Sequence, residues 1–133
     1  MNTYKEKLSI LTEMINFARV DDIIKSEEYQ FLRKVAAQLG VDQEDFDQLF
    51  SNGAEHVVPK SQADRIVQFH RLVLLMNVDQ KQDEIETNRI HNIGLSMGLP
   101  PSAIEQVLVV MHEYPNKVVP PKVLIEIFKA HYN

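Results

Sequence analysis

The chain has no cysteine and no tryptophan, only four glycines among its 133 residues, and no apolar run longer than five. Without cysteine there is no disulfide framework, no thiol nucleophile and no thiolate metal site. The longest apolar runs, Leu72 to Met76 and Val107 to Met111, fall far short of the roughly 18 residues that suggest a membrane-spanning helix, so no integral membrane segment is expected. Basic residues are in the minority, 14 against 19 acidic ones, for a net charge of −5. That is the wrong sign for a protein whose affinity comes from neutralising phosphates, and nucleic acid is not an expected partner. No glycine-rich phosphate loop, nucleophile elbow or convergent Ser, His and Asp set is visible, so a non-enzymatic protein is expected. Met1 to Ser9 sets Lys5 and Lys7 beside Glu6 without an apolar block. A cytoplasmic address is the corresponding expectation.

What is present is helical periodicity. Leu8, Leu11, Ile15 and Ala18 recur at the spacing of one helix face, widened by Met14 and Phe17, and predict a helix from about Thr3 to Arg19. Ser26 is the expected cap of a second helix, with Glu27 and Glu28 in its first turn, Phe31, Leu32, Val35 and Leu39 inward, and Gly40 at its end. Asp42 should cap a short third helix bearing Phe46, Leu49 and Phe50. Ser51 to Lys60 holds Gly53 and Pro59 without periodicity and reads as a linker. Ser61 with Asp64 resembles a capping box for a fourth helix that turns Ile66, Phe69, Leu72, Val73 and Met76 inward. After the polar stretch Asn77 to Gln82, a fifth helix carries Ile90, Ile93 and Met97 toward Gly98. Ser102 with Glu105 supplies a second capping box for a sixth helix running through Met111. The runs Leu72 to Met76 and Val107 to Met111 are apolar all round and are expected to be buried centrally. Tyr114 to Pro120 connects to a seventh helix from about Pro121, with Val123, Leu124, Ile127 and Phe128 inward. This last helix either closes the core or offers Phe128 and Tyr132 to a partner. Sustained period-two alternation is absent, so the fold class is all-α.

A shift of 58 residues lays Val20-Asp21 on Val78-Asp79, Glu28 on Glu86 and Gly40 on Gly98. Over the 43 pairs from Leu8/Ile66 to Phe50/Leu108 both members are apolar in 15, against roughly nine expected by chance, which favours a duplicated unit with matched buried faces. The expected architecture is two tandem three-helix repeats, about 8–50 and 66–108, plus a closing helix, in a single domain spanning 1–133. Each copy places an Asp in a turn and a Glu seven residues on. Asp21 to Glu28 carries −3 and Asp79 to Glu86 carries −3, while the whole chain carries −5. Both turns are strongly acidic.

Leu11 to Leu39, with Val20-Asp21-Asp22, Ser26-Glu27-Glu28, Phe31-Leu32 and Leu39-Gly40, resembles the first half of the tellurite-resistance TerB-like family. Asn77 to Leu99 resembles its second half. The family's turn is Ala-Asp-Gly with a downstream Glu; the Gly position holds Asp22 in one turn and Gln80 in the other. The resemblance implies a seven-helix bundle with an acidic surface that takes divalent metal. It also implies a small module of stress-response or membrane-associated assemblies, without catalysis.

The residues themselves leave two readings of the turns open. Asp21, Asp22 and Glu28, and Asp79, Asp83 and Glu86, offer the oxygen ligands that Ca²⁺ or Mg²⁺ takes, although seven residues from Asp to Glu is not EF-hand spacing. Alternatively, the Asp residues cap amides and the Glu residues complement helix N-termini. In that case the protein is a helical interaction adaptor without metal, binding a protein partner through a groove. Peripheral membrane association stays open in either case. His70, His91 and His112 have no i, i+4 pairing among them and read as surface or boundary residues.

Overall fold

The computed structural model describes residues 2–19, 23–78 and 84–131. Seven α-helices occur in it: α1 Tyr4–Ala18, α2 Ser26–Leu39, α3 Gln43–Gln48, α4 Gln62–Met76, α5 Glu84–Ser96, α6 Pro101–Val110 and α7 Pro121–His131. Two single 3-10 turns, Met111–Glu113 and Pro115–Lys117, lie between α6 and α7. No strand occurs among the described residues, and the fold class is all-α. The chain forms two compact units, 1–64 and 65–133.

In the first unit, Thr3 Oγ1 accepts from the Glu6 amide at 3.1 Å while Glu6 Oε1 accepts from the Thr3 amide at 3.0 Å, a closed capping box that starts α1. This pairing accounts for a carboxylate that is only 4% exposed. Helix α1 packs on α2, and α2 on α3, burying Leu11, Met14, Ile15, Leu32, Val35 and Phe46. Phe46 stands edge-on to Phe50 at 5.2 Å between ring centroids, and Tyr29 tilts against both. The Tyr4 hydroxyl donates to the Asp45 carboxylate, joining the start of α1 to α3. That bond to a carboxylate pushes the Tyr4 phenol up to about 12. Asp42 Oδ1 accepts from the Asp45 amide at 2.8 Å and caps α3 as expected.

The 51–60 connector has no helix but is more than a tether. The Ser9 hydroxyl accepts from the Val57 amide at 2.8 Å and donates to the Val57 carbonyl at 3.1 Å, satisfying both polar groups of one residue as a neighbouring strand would. Thr12 Oγ1 accepts from the Ala54 amide at 3.0 Å. These bonds fix the connector along α1.

In the second unit α5 packs on α6 and α6 on α7, around Phe69, Leu72, Val73, Ile90, Ile104, Val107, Met111, Leu124 and Phe128. Phe128 is 1% exposed and edge-on to Phe69, with centroids 6.0 Å apart, so this side chain closes the core and is not offered to a partner. Tyr132 lies outside the described residues. His131, in the last turn of α7, has Nδ1 2.8 Å from Ser102 Oγ and donates through Nε2 to Gln106 Oε1 at 2.7 Å. Ser102 and Gln106 are one turn apart on α6, so a single imidazole fastens the two helices.

Several local expectations change. Ser26 is the first helical residue, and the cap is Lys25, whose side chain makes no capping bond. Ser102 does not cap α6; Pro100 occupies that position. Pro101 takes the first helical place because its φ suits the helix and its missing N–H would have no intrahelical partner there. Val109 is 71% exposed despite the apolar run around it: two residues turn a helix by about 200°, so Val107 and Val109 face opposite ways. Asn77, read as part of a polar stretch, is 4% exposed.

His70, His91 and His112 are half-buried, half-buried and exposed. His70 Nε2 donates to the Val119 carbonyl at 2.9 Å. Burial pushes the His70 imidazole below its usual range; the bond to Val119 offsets part of this and neighbouring Arg71 adds to it. A base depressed in the folded state gives stability that is complete above its unfolded value, about 6.5, and lost as pH falls through the folded one. Thermal melts from pH 8 to 4.5 should therefore show a steeper acid-side fall in Tm for the wild type than for His70→Gln, which cannot take up that proton. Parallel curves would show that His70 contributes no such dependence.

Candidate functional site

The two acidic turns join α1 to α2 and α4 to α5. Of the six candidate ligands, Asp21, Asp22, Asp79 and Asp83 lie outside the described residues. Glu28 and Glu86 are the third residues of α2 and α5, in first turns that also hold Glu27 and Glu84 respectively. Both are half-buried. Carboxylates at these positions lie where the helix dipole favours negative charge.

The architecture around the turns recurs at the same 58-residue interval. Helices α1, α2 and α3 begin at Tyr4, Ser26 and Gln43; α4, α5 and α6 begin at Gln62, Glu84 and Pro101. Gly40 and Gly98 are left-handed, with φ of 77° and 80°. Past these glycines, the Val41 amide returns to the Ala36 carbonyl at 2.9 Å and the Leu99 amide to the Gly94 carbonyl at 3.1 Å. This six-to-one closure satisfies helix-end carbonyls and sets the exit direction of the chain in both triplets. Matched side chains have matched burial: Leu11 with Phe69, Met14 with Leu72, Leu32 with Ile90 and Phe46 with Ile104 are all at most 1% exposed.

The residues that lead into the turns do not match. Arg19 follows α1, and its Nη2 donates to the Phe50 carbonyl at 2.9 Å while its guanidinium lies 5.9 Å from the Phe50 ring centroid. Asn77 follows α4. Its Nδ2 donates to the Lys117 carbonyl at 3.4 Å and approaches Met111 Sδ at 3.5 Å, while its Oδ1 is buried with no hydrogen-bond donor among the described residues. Lys117 and its neighbour Asn116 have φ of 59° and 56°, left-handed values uncommon outside glycine. Arg19 and Asn77 lie two residues ahead of the acidic octets and so fall outside their charge.

Among the described residues, no group of three or more His, Asp or Glu side chains is placed to hold a metal ion. Carboxylate oxygen, the ligand type in the sequence of both turns, suits a hard cation better than a soft one.

Among the described residues no helix is long and apolar enough to cross a membrane. The fold and the turns thus define an all-α protein of helix triplets with acidic connections. Residues 1–50, which span α1 to α3, match the model of the family Tellurite resistance protein TerB. Over that segment the chain is similar to that family. No curated protein and no solved structure gave a significant match.

Proposed function

We propose that the protein is a non-enzymatic TerB-like module, linked to tellurite resistance or stress response, that binds a divalent cation, Ca²⁺ or Mg²⁺, through its two acidic turns. The carrying observation is the recurrence of charge at a fixed interval: two octets 58 residues apart hold −3 each in a chain of net −5. The match of residues 1–50 to the TerB family supports the same reading. In it, Asp21, Asp22 and Glu28 serve one turn, and Asp79, Asp83 and Glu86 the other. Cation binding neutralises the turns and so alters the surface met by a protein partner in the cytoplasm.

Calorimetric titration of EDTA-treated protein with Ca²⁺ and Mg²⁺ tests this. The wild type should bind saturably, and the double variant Asp21→Asn, Asp79→Asn should lose that heat while keeping its helical circular dichroism. Retained binding in the double variant would remove the turns from the reading. A metal-free interaction adaptor is the second reading, favoured by Val109 and Ile85, apolar side chains 71% and 72% exposed.

A further inference from the structure

We infer that Asn52-Gly53 is a covalent modification site that deamidates spontaneously in the folded chain, and that the isoaspartate it yields releases the connector from α1. The deprotonated Gly53 nitrogen attacks Asn52 Cγ; the N–Cγ bond forms, the Cγ–Nδ2 bond breaks, and Nδ2 leaves as ammonia with the proton. Water then opens the five-membered succinimide at one of its two carbonyls and gives aspartate or isoaspartate. In isoaspartate the main chain runs through Cβ and Cγ and is one methylene longer. The reaction needs an accessible asparagine side chain that no bond restrains and a following amide that no acceptor holds. It also needs an open approach to that amide nitrogen, which a residue without Cβ provides.

Asn52 and Gly53 meet all three needs. Both are exposed, just past the end of α3. The Asn52 amide donates to the Gln48 carbonyl at 2.9 Å, but neither the Asn52 side chain nor the Gly53 amide bonds to any described residue. After other asparagines the next amide is engaged. Those of Thr3, Val78 and Lys117, which follow Asn2, Asn77 and Asn116, donate to Glu6 Oε1 at 3.0 Å, the Leu75 carbonyl at 3.3 Å and the Tyr114 carbonyl at 3.0 Å. Those after Asn16, Asn88 and Asn92 lie inside α1 and α5, within the helical ladder. Gly53 does not have the left-handed φ of Gly40 and Gly98. Its need is space: a Cβ there would lie 2.9 Å from Thr12 Cγ2 on α1. Close packing on α1 therefore calls for the same glycine that leaves Asn52 reactive. The next amide, Ala54, donates to Thr12 Oγ1 at 3.0 Å. A methylene added between Asn52 and Gly53 falls immediately ahead of both contacts with Thr12 and displaces them.

The test holds the full chain in warm, mildly alkaline buffer, folded and in urea, and follows it over days. The folded wild type should gain about 1 Da as an amide becomes an acid, at a rate comparable to that in urea. The gain should map to the tryptic peptide 35–60, in which Asn52 is the single asparagine. An isoaspartyl methyltransferase should label that peptide. Asn52→Gln, whose longer side chain closes a six-membered ring far more slowly, should lose both the gain and the label. Hydrogen exchange compared before and after aging reads the release: the Ala54 amide should lose protection, while the Val57 amide, held by Ser9 Oγ at 2.8 Å, keeps it and serves as the internal reference. A gain seen only in urea, a gain that arises first in another peptide, or one that persists in Asn52→Gln would overturn the modification site. Unchanged exchange at Ala54 in the isoaspartate form would overturn the release.

Discussion

Replacing Phe69 by Ala is expected to cost about 3–5 kcal/mol of stability, a large share of the roughly 5–15 kcal/mol that holds a domain folded. Phe69 is fully buried on α4. Its ring meets Phe128 of α7 edge-on, at 6.0 Å and 77°, the arrangement in which the positive ring edge of one aromatic faces the negative face of the other. Truncation therefore removes the apolar area of the ring, the aromatic pairing and the contact through which the closing helix meets α4, and it leaves a cavity the neighbours cannot fully close. Urea unfolding followed by circular dichroism should show a lowered midpoint, with the slope as a check that the denatured state has not changed. Val109→Ala, at a side chain 71% exposed, is the control and should stay within about 0.5 kcal/mol of the wild type. A Phe69→Ala variant as stable as this control would mean that α7 is not held to α4 by the aromatic pair.

Helical spacing alone turns Phe69 and Phe128 inward, and local sequence signals mark the start of α7 at Pro121 and the helix ends at Gly40 and Gly98. These features are legible because each depends on residues within one or two turns. Features that depend on distant partners were not legible. The burial of Asn77 comes from Met111 and Lys117, dozens of residues on, and nothing local to Asn77 announces it. The connector's attachment to α1 depends on Ser9 and Thr12 meeting Val57 and Ala54 across more than 40 residues. Ser102 shows two local rules in conflict: the capping-box pattern and the Pro-first pattern both fit α6, and the rigid φ of Pro101 prevails, which frees Ser102 to bond His131. For the candidate site, the sequence carried the ligand types and placed Glu28 and Glu86 in first turns. It carried the Arg19 and Asn77 contrast as well, at the same 58-residue offset, but a charge count over the octets alone does not reach it.

Gly94 is not legible in the sequence for a further reason: a glycine inside a helical pattern looks only like a weak residue. In the structure α5 comes close to Ile104 of α6 and Phe69 of α4 there. A Cβ built there would lie 2.7 Å from Ile104 Cδ1, 3.1 Å from Ile104 Cγ1 and 3.3 Å from Phe69 Cε1. Gly94→Ala sets two effects of similar size against each other. Helix propensity gains about 1 kcal/mol, while the end of the Ile104 side chain, 2.7 Å from the added Cβ, must move out to ordinary contact distance, so the net change should be small. The matched position in the first unit, Ala36, is already alanine and buried at 3%, which shows what a triplet of this kind accommodates there. Gly94→Leu has no such balance. The branched side chain must enter space that Ile104 and Phe69 occupy, and the cost should reach about 3 kcal/mol, the upper end for overpacked cores. Because Phe69 lines the same space, the penalties should not add. In a Phe69→Ala background the added leucine finds room, and Gly94→Leu should be nearly neutral or stabilising there, with a coupling of about 1–3 kcal/mol in the double-mutant cycle. Additive penalties would mean that α5 and α4 do not share this contact in solution.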